Sequence, residues 1–149
     1  MTTRIILPLT AAAALAALTA TAADLQTASG QAQILVRSSA SWNGKPYAHY
    51  PTTAPQLTVL RLTIPPHSAL PWHTHPVPNA GYVLEGQLTI HDKASGATKT
   101  FHQGEAFTES VDDPHRGESG DSQTVLILVY SGTEGEKTTV PLPGQKAEY

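Results

Sequence analysis

The chain contains no cysteine, a single methionine and two phenylalanines among 149 residues. Without thiols no disulfide can staple the fold and no thiolate can hold a soft metal. Stability must come from burial, and any metal site must use nitrogen and oxygen donors. Positive charge is also scarce: nine lysines and arginines stand against twelve acidic residues, for a net charge of -3, and the basic residues form no run. Nothing is there to neutralise a row of phosphates, which argues against nucleic acid as a partner. Long apolar runs are confined to the start of the chain. What is plentiful is punctuation: twelve prolines and eleven glycines predict many short strands and turns, and a helical bundle is excluded.

The first residues, Met1 to Arg4 followed by an alanine-rich run from Ile5 to Ala20 and the small-residue exit Ala20-Thr21-Ala22, have the layout of a secretory signal peptide. Pro8 breaks the run and Asp24 and Gln26 follow at once, so a retained membrane anchor fits less well. The expectation is a leader over 1–22, a flexible lead-in over 23–31, one folded domain over 32–141 and a tail over 142–149, with the mature protein periplasmic or secreted and off the membrane.

Strand signals follow from Gln33 to Arg37, Gln56 to Ile64, Leu70 to His75, Ala80 to His91, Thr98 to His102, Glu105 to Glu109, Thr124 to Tyr130 and Lys137 to Val140. In the second of these, Leu57 and Val59 share one face and Leu60, Leu62 and Ile64 the other, so both faces are expected to be partly buried. Asn43-Gly44 predicts a tight turn between Trp42 and Tyr47, Pro65-Pro66 a stop, and Gly86 a bulge or bend. About eight short strands in one antiparallel domain make an all-β sandwich or barrel of jelly-roll type.

His73-Thr74-His75 places two imidazoles at i and i+2, the same face of a strand. His115, just after the turn-rich Val111-Asp112-Asp113-Pro114, is a third donor that a neighbouring strand can bring alongside. The remaining histidines, His49, His67, His91 and His102, lack a paired partner and read as surface or structural residues. Arg61 either holds a substrate carboxylate or lies on a solvated outer face, and Tyr82 and Tyr130 either line a cavity or fill the core.

This framework resembles the cupin superfamily, whose first motif is written G-x5-H-x-H-x3-E-x6-G and whose second is G-x5-P-x-G-x2-H-x3-N. Here the first reads His67, His73, His75, Asn79 and Gly86, and the second Gly104, Ser110, Asp112, His115 and Ser119, with every spacing kept. The resemblance implies a jelly roll with a pocket for a divalent metal ion, held by His73, His75, His115 and, in place of the usual glutamate, Asn79. Imidazole-rich sets suit iron, manganese, zinc, nickel or copper, and the ligand types do not choose among them. Asn79 is then either a neutral ligand or a hydrogen-bonding neighbour of the ligands.

Glu109 has no basic residue within four positions. Turned into an apolar barrel it would have a raised pKa and act as a general base; alternatively it supplies the anionic ligand that Asn79 does not, or lies on a strand edge in solvent. The functional expectation is a metal-dependent enzyme acting on a small metabolite by oxygenation, isomerisation or hydrolysis, ahead of a non-catalytic metal or small-ligand binder, and ahead of a metal-free relic. A small molecule is the expected ligand, and open sheet edges allow a homodimer.

Overall fold

A computed structural model describes residues 29–147. The chain divides into two compact units, 1–32 and 33–149. Of the first, only residues 29–32 are described, and they carry no regular structure. The expected leader, and most of the expected lead-in, lie outside the described residues. No helix among the described residues is long and apolar enough to cross a membrane.

The second unit is built from β1 (Pro55–Ile64), β2 (His73–Thr74), β3 (Asn79–Glu85), β4 (Gln87–Asp92), β5 (Thr98–His102), β6 (Ala106–Thr108), β7 (His115–Ser119), β8 (Thr124–Thr133) and β9 (Val140–Pro141). They form two antiparallel sheets, ordered β1-β8-β3-β6 and β5-β4-β7-β2-β9. Only β4 and β5 are consecutive strands of one sheet; at every other step the chain crosses to the opposite sheet. That alternation is the jelly-roll arrangement expected from the strand and turn signals.

Gly86 makes one of these crossings. The register of β3 against β8 shifts between Val83 and Glu85, and the chain then turns at Gly86 with φ of 76° into β4 of the other sheet. Left-handed backbone favours glycine, and a Cβ there would lie 2.3 Å from the Gln123 carbonyl oxygen. The sequence signal for a bend at this point is therefore a corner between sheets.

Inward rows from both sheets meet in one core. Ile64, Val83, Leu126, Leu128 and Tyr130 come from the first sheet, and Leu88, Ile90 and Phe101 from the second. Burying side chains of this size contributes roughly 1.5–3 kcal/mol each, the main stabilising term in a chain without disulfides.

Two expectations need correcting. Gln33 to Arg37 forms no strand, and Ile34, Leu35 and Val36 are exposed, because β-branched and apolar residues make a strand only where a ladder partner is available. On β1, Leu60, Leu62 and Ile64 face inward as expected, but Leu57 and Val59 are exposed, since no second layer covers the outer face of this sheet among the described residues. Arg61 shares that exposed face, which removes it from any internal substrate site. A strand not anticipated from the sequence, β7, starts at His115 itself.

Candidate metal centre

His73 and His115 are partners in the β2–β7 ladder, and His75, two residues on, bridges to Val111. All three imidazoles are buried, with ring centroids 4.8 Å (His73 to His75), 4.6 Å (His73 to His115) and 5.0 Å (His75 to His115) apart. One ring nitrogen from each lies within 4.8 Å of the others. Three nitrogens bound to one ion at about 2.0–2.1 Å stand roughly 3–3.6 Å apart, so gathering them on an ion takes ring shifts of no more than about an ångström each.

Each ring is held from behind by a backbone carbonyl. His73 Nδ1 lies 2.8 Å from Pro71 O, His75 Nδ1 2.7 Å from Thr138 O, and His115 Nδ1 2.7 Å from Asp113 O. A carbonyl can only accept, so each Nδ1 carries the proton and donates it. In the neutral ring the lone pair then belongs to Nε2. This outward hydrogen bond fixes the tautomer and orientation that a metal-binding imidazole requires.

Glu109 lies just beyond β6, buried, with its Oε2 2.6 Å from His75 Nε2. Its backbone N–H donates to Asn79 O at 3.2 Å, which ties it to the start of β3. Because His75 Nδ1 already donates to Thr138, the short contact between Nε2 and the carboxylate calls for one shared positive charge. A proton supplies it in an imidazolium–carboxylate pair, and a metal ion supplies it to a shared ligand set. The residues present therefore fit a divalent cation, and the Nε2 of His115, buried and without a hydrogen-bond partner among the described residues, fits it too.

The electrostatics differ from the simple burial argument. Burial does push the Glu109 carboxyl upward, but the charge of His75, its hydrogen bond, and then His115 and His73 outweigh it and hold the pKa at about 2. The raised pKa anticipated for a carboxylate in an apolar barrel is thus reversed, because three imidazoles share the chamber. Burial, then the proximity of His75 and His115, lowers His73 to about 4. His115 is lowered as well, burial again being the largest cause. At neutral pH His73 and His115 are therefore kept unprotonated and able to bind a cation.

The chamber next to the histidines has a volume of about 10 Å³, room for about one water. Glu109, the three histidines, Leu62, Leu70, Leu88, Ile90, Leu126, Leu128 and Tyr130 line it, and no lysine or arginine does. Tyr130 also packs against His75, with centroids 5.3 Å apart. Tyr82 alternates with the buried Gly81 and Val83 and is only partly buried, so it sits on the outer face. Asn79 is opposite Tyr130 in the β3–β8 register, hence on the cavity side of the sheet. It is 6% exposed, and neither amide atom has a hydrogen-bond partner among the described residues.

His49, His67 and His102 are exposed, and His91 is a structural histidine 3.0 Å from Glu118 on the outer side of β4 and β7. Sequence reasoning missed the three carbonyls that hold the rings. Every residue carries a carbonyl, so no residue type marks the ones that face an imidazole. It also missed the role of Asn43, whose amide reaches both Asp92 and Asp113 behind His115.

Solved structures share this architecture. The polyketide cyclase RemF from Streptomyces resistomycificus aligns at TM-score 0.50 and 20% identity, over 61% of this chain and 63% of that one. The DMSP lyase DddQ from Ruegeria pomeroyi aligns at TM-score 0.52 and 19% identity, over 70% of this chain and 49% of that one. An oxalate oxidase in complex with the substrate analogue glycolate aligns at TM-score 0.50 and 18% identity, over 58% of this chain and 46% of that one. The matches thus span less than two thirds of each of these proteins, and at such identities they share the fold. No curated protein sequence matches the chain. Residues 60–130 match the family model described as Cupin domain, a stretch that holds both histidine segments, all of the motif positions and Glu109. With two antiparallel sheets in jelly-roll order and the three histidines gathered between them, residues 60–130 form a domain of the cupin superfamily.

Proposed function

We propose that the protein is a metal-dependent enzyme acting on a small molecule, with a divalent ion held by the Nε2 atoms of His73, His75 and His115 and by the carboxylate of Glu109. The observation that carries this reading is the common orientation of the three rings, each with Nδ1 spent on a carbonyl, around a carboxylate 2.6 Å from one Nε2. Asn79 sits where the cupin motif has its glutamate, and Glu109, hydrogen-bonded through its N–H to Asn79 O, brings the missing carboxylate from the adjacent segment. In this role Glu109 is an anionic ligand; a carboxylate held at about 2 is a weak base at neutral pH.

Three neutral imidazoles and one carboxylate leave a divalent ion with a net single positive charge, and such an ion acts as a Lewis acid toward a bound oxygen. The apolar lining contains no cationic side chain to hold a second negative charge. With room for about one water, the chamber admits a water or a single small donor group beside the ion, and a group carrying one negative charge suits it better than a dianion. Oxygenation, isomerisation and hydrolysis all start from such a complex. In this reading the Asn79 amide, on the cavity side and without a hydrogen-bond partner among the described residues, serves a water or the bound molecule.

Elemental analysis of the purified protein beside His115→Ala tests the metal. Stoichiometric metal in the first and none in the second is expected, and equal, negligible metal in both overturns the reading. Turnover with small monoanionic substrates, absent after chelation and restored by one metal, separates an enzyme from a non-catalytic binder.

The same proposal includes export. The layout of residues 1–22 supports it, and N-terminal sequencing of protein from a periplasmic fraction should find a start at Ala23. It also includes a homodimer, supported by exposed Leu57 and Val59 on β1; sedimentation should give twice the chain mass.

A further inference from the structure

The segment from Ala40 to Tyr47 precedes the matched residues 60–130, yet it grips the stretch that presents Glu109 and His115. Trp42 N–H donates to Thr108 O at 2.9 Å, and Thr108 Oγ1 donates to Ala40 O at 2.9 Å. Tyr47 Oη donates to the backbone oxygen of Glu109 at 2.6 Å. Asn43 closes the series: its Nδ2 donates to Asp92 Oδ2 at 2.8 Å and to Asp113 Oδ2 at 2.9 Å, while Lys45 pairs with Asp113.

Those two aspartates flank His115. Asp113 accepts the His115 Nδ1 proton on its carbonyl, and Asp92 is the ladder partner of His115 at the end of β4. Asp92 is 2% and Asp113 5% exposed, two buried carboxylates that a single amide nitrogen joins by spending one hydrogen on each. Only a primary amide of this length serves. Alanine would leave the two carboxylates without their bridge, and aspartate would add a third negative charge. The Asn43 side chain is itself held, its Oδ1 accepting from Ser41 Oγ at 2.5 Å within the tight turn at Gly44.

We infer that Asn43, carried by a turn outside the family domain, is a positioning residue for the metal centre: by joining Asp92 to Asp113 it fixes the Asp113 carbonyl, and through it the direction of the His115 Nε2 lone pair. The inference rests on the proposed metal reading for its consequence, but the ring orientation it describes exists in the metal-free protein. Residues 60–130 alone would then bind metal poorly, because the arm that aims His115 lies upstream.

The test uses the full chain with Co(II), measuring affinity by competition with a colorimetric chelator and geometry by the visible absorption of the bound ion. In parallel, nitrogen NMR of the metal-free protein reads the His115 tautomer. Asn43→Ala should weaken Co(II) by about ten- to a hundredfold, shift the absorption band, and erode the Nδ1–H tautomer at His115. Val83→Ala, a core change outside the lining of the histidine chamber, serves as the control for stability alone. It should lower the melting temperature while keeping wild-type affinity, spectrum and tautomer. Lys45→Ala, on an exposed side chain, should move affinity in the same direction by a smaller factor, and it covers the case in which Asn43→Ala does not fold. Wild-type affinity and tautomer in Asn43→Ala, or in Lys45→Ala where only that variant folds, would overturn the inference. If the wild-type chain itself takes up no Co(II), the metal reading fails, and the tautomer measurement alone still decides whether Asn43 orients His115.

Discussion

His73 and His115 are direct partners across the β2–β7 ladder, so two residues 42 positions apart present their rings side by side, 4.6 Å between centroids. In an antiparallel pair, opposed residues point to the same face, and His75 joins that face two residues later. The three-histidine group proposed to hold the metal thus depends on one strand pairing. A slip of that pairing by one residue would turn His115 away from the other two.

The first prediction follows from this pairing. Replacing His73 with alanine should reduce bound metal to background while the far-ultraviolet circular dichroism stays that of a β-sandwich, since the ladder bonds are made by the backbone. Retained stoichiometric metal in His73→Ala would contradict the assignment.

Glu109 offers a second. Glu109→Gln keeps the shape and removes the charge, and metal affinity should fall by about ten- to a hundredfold. Because Asn79 lies on the cavity side, Asn79→Glu in the Glu109→Gln background restores a carboxylate from the neighbouring strand. The double variant should recover a measurable part of the lost affinity in the same titration. No difference between Glu109→Gln and wild type would remove Glu109 from the ligand set.

The third concerns acid stability without metal. His73 is held at about 4 when folded, mainly by burial, against 6.5 for an unperturbed histidine. Between those values the unfolded chain binds a proton that the folded chain refuses, so stability is full above pH 6.5 and declines as the pH falls toward 4. The decline should reach about 3 kcal/mol from this group. Glu109, lowered from 4.5 to about 2, removes further stability below pH 4.5. Urea midpoints measured from pH 8 to pH 4 would show the fall, and His73→Gln should flatten the upper part of the curve.

A fourth tests the corner. Gly86→Ala meets both a φ of 76° and a carbonyl 2.3 Å from the added Cβ, and it should cost about 2–4 kcal/mol in chemical denaturation. The metal affinity of the molecules that remain folded should not change, because Gly86 does not line the chamber.

Much of this was legible in the chain itself, and for identifiable reasons. The alternation of Leu60, Leu62 and Ile64 put them on one face of β1 without choosing it over the face of Leu57 and Val59, and Gly86 marked the break between β3 and β4. The His73-Thr74-His75 spacing put two imidazoles on one face from strand periodicity alone, and both are buried beside His115. Pairing was not legible: Gln33 to Arg37 has strand composition yet finds no ladder, and β7 has little strand composition yet forms one, because β structure is decided by a partner's edge.

Residue types and spacings determined an all-β chain without thiols, three imidazoles available as nitrogen donors and a motif lacking its glutamate. Tertiary structure decided the rest: that Glu109 stands against His75 with its pKa lowered, that carbonyls of Pro71, Thr138 and Asp113 set the tautomers, and that Asn43 braces the aspartates behind His115. The physical reason is one of range. Periodicity is local and is written along the chain, whereas burial, charge and hydrogen bonding act through space, and their sign depends on which distant groups the fold brings within a few ångströms.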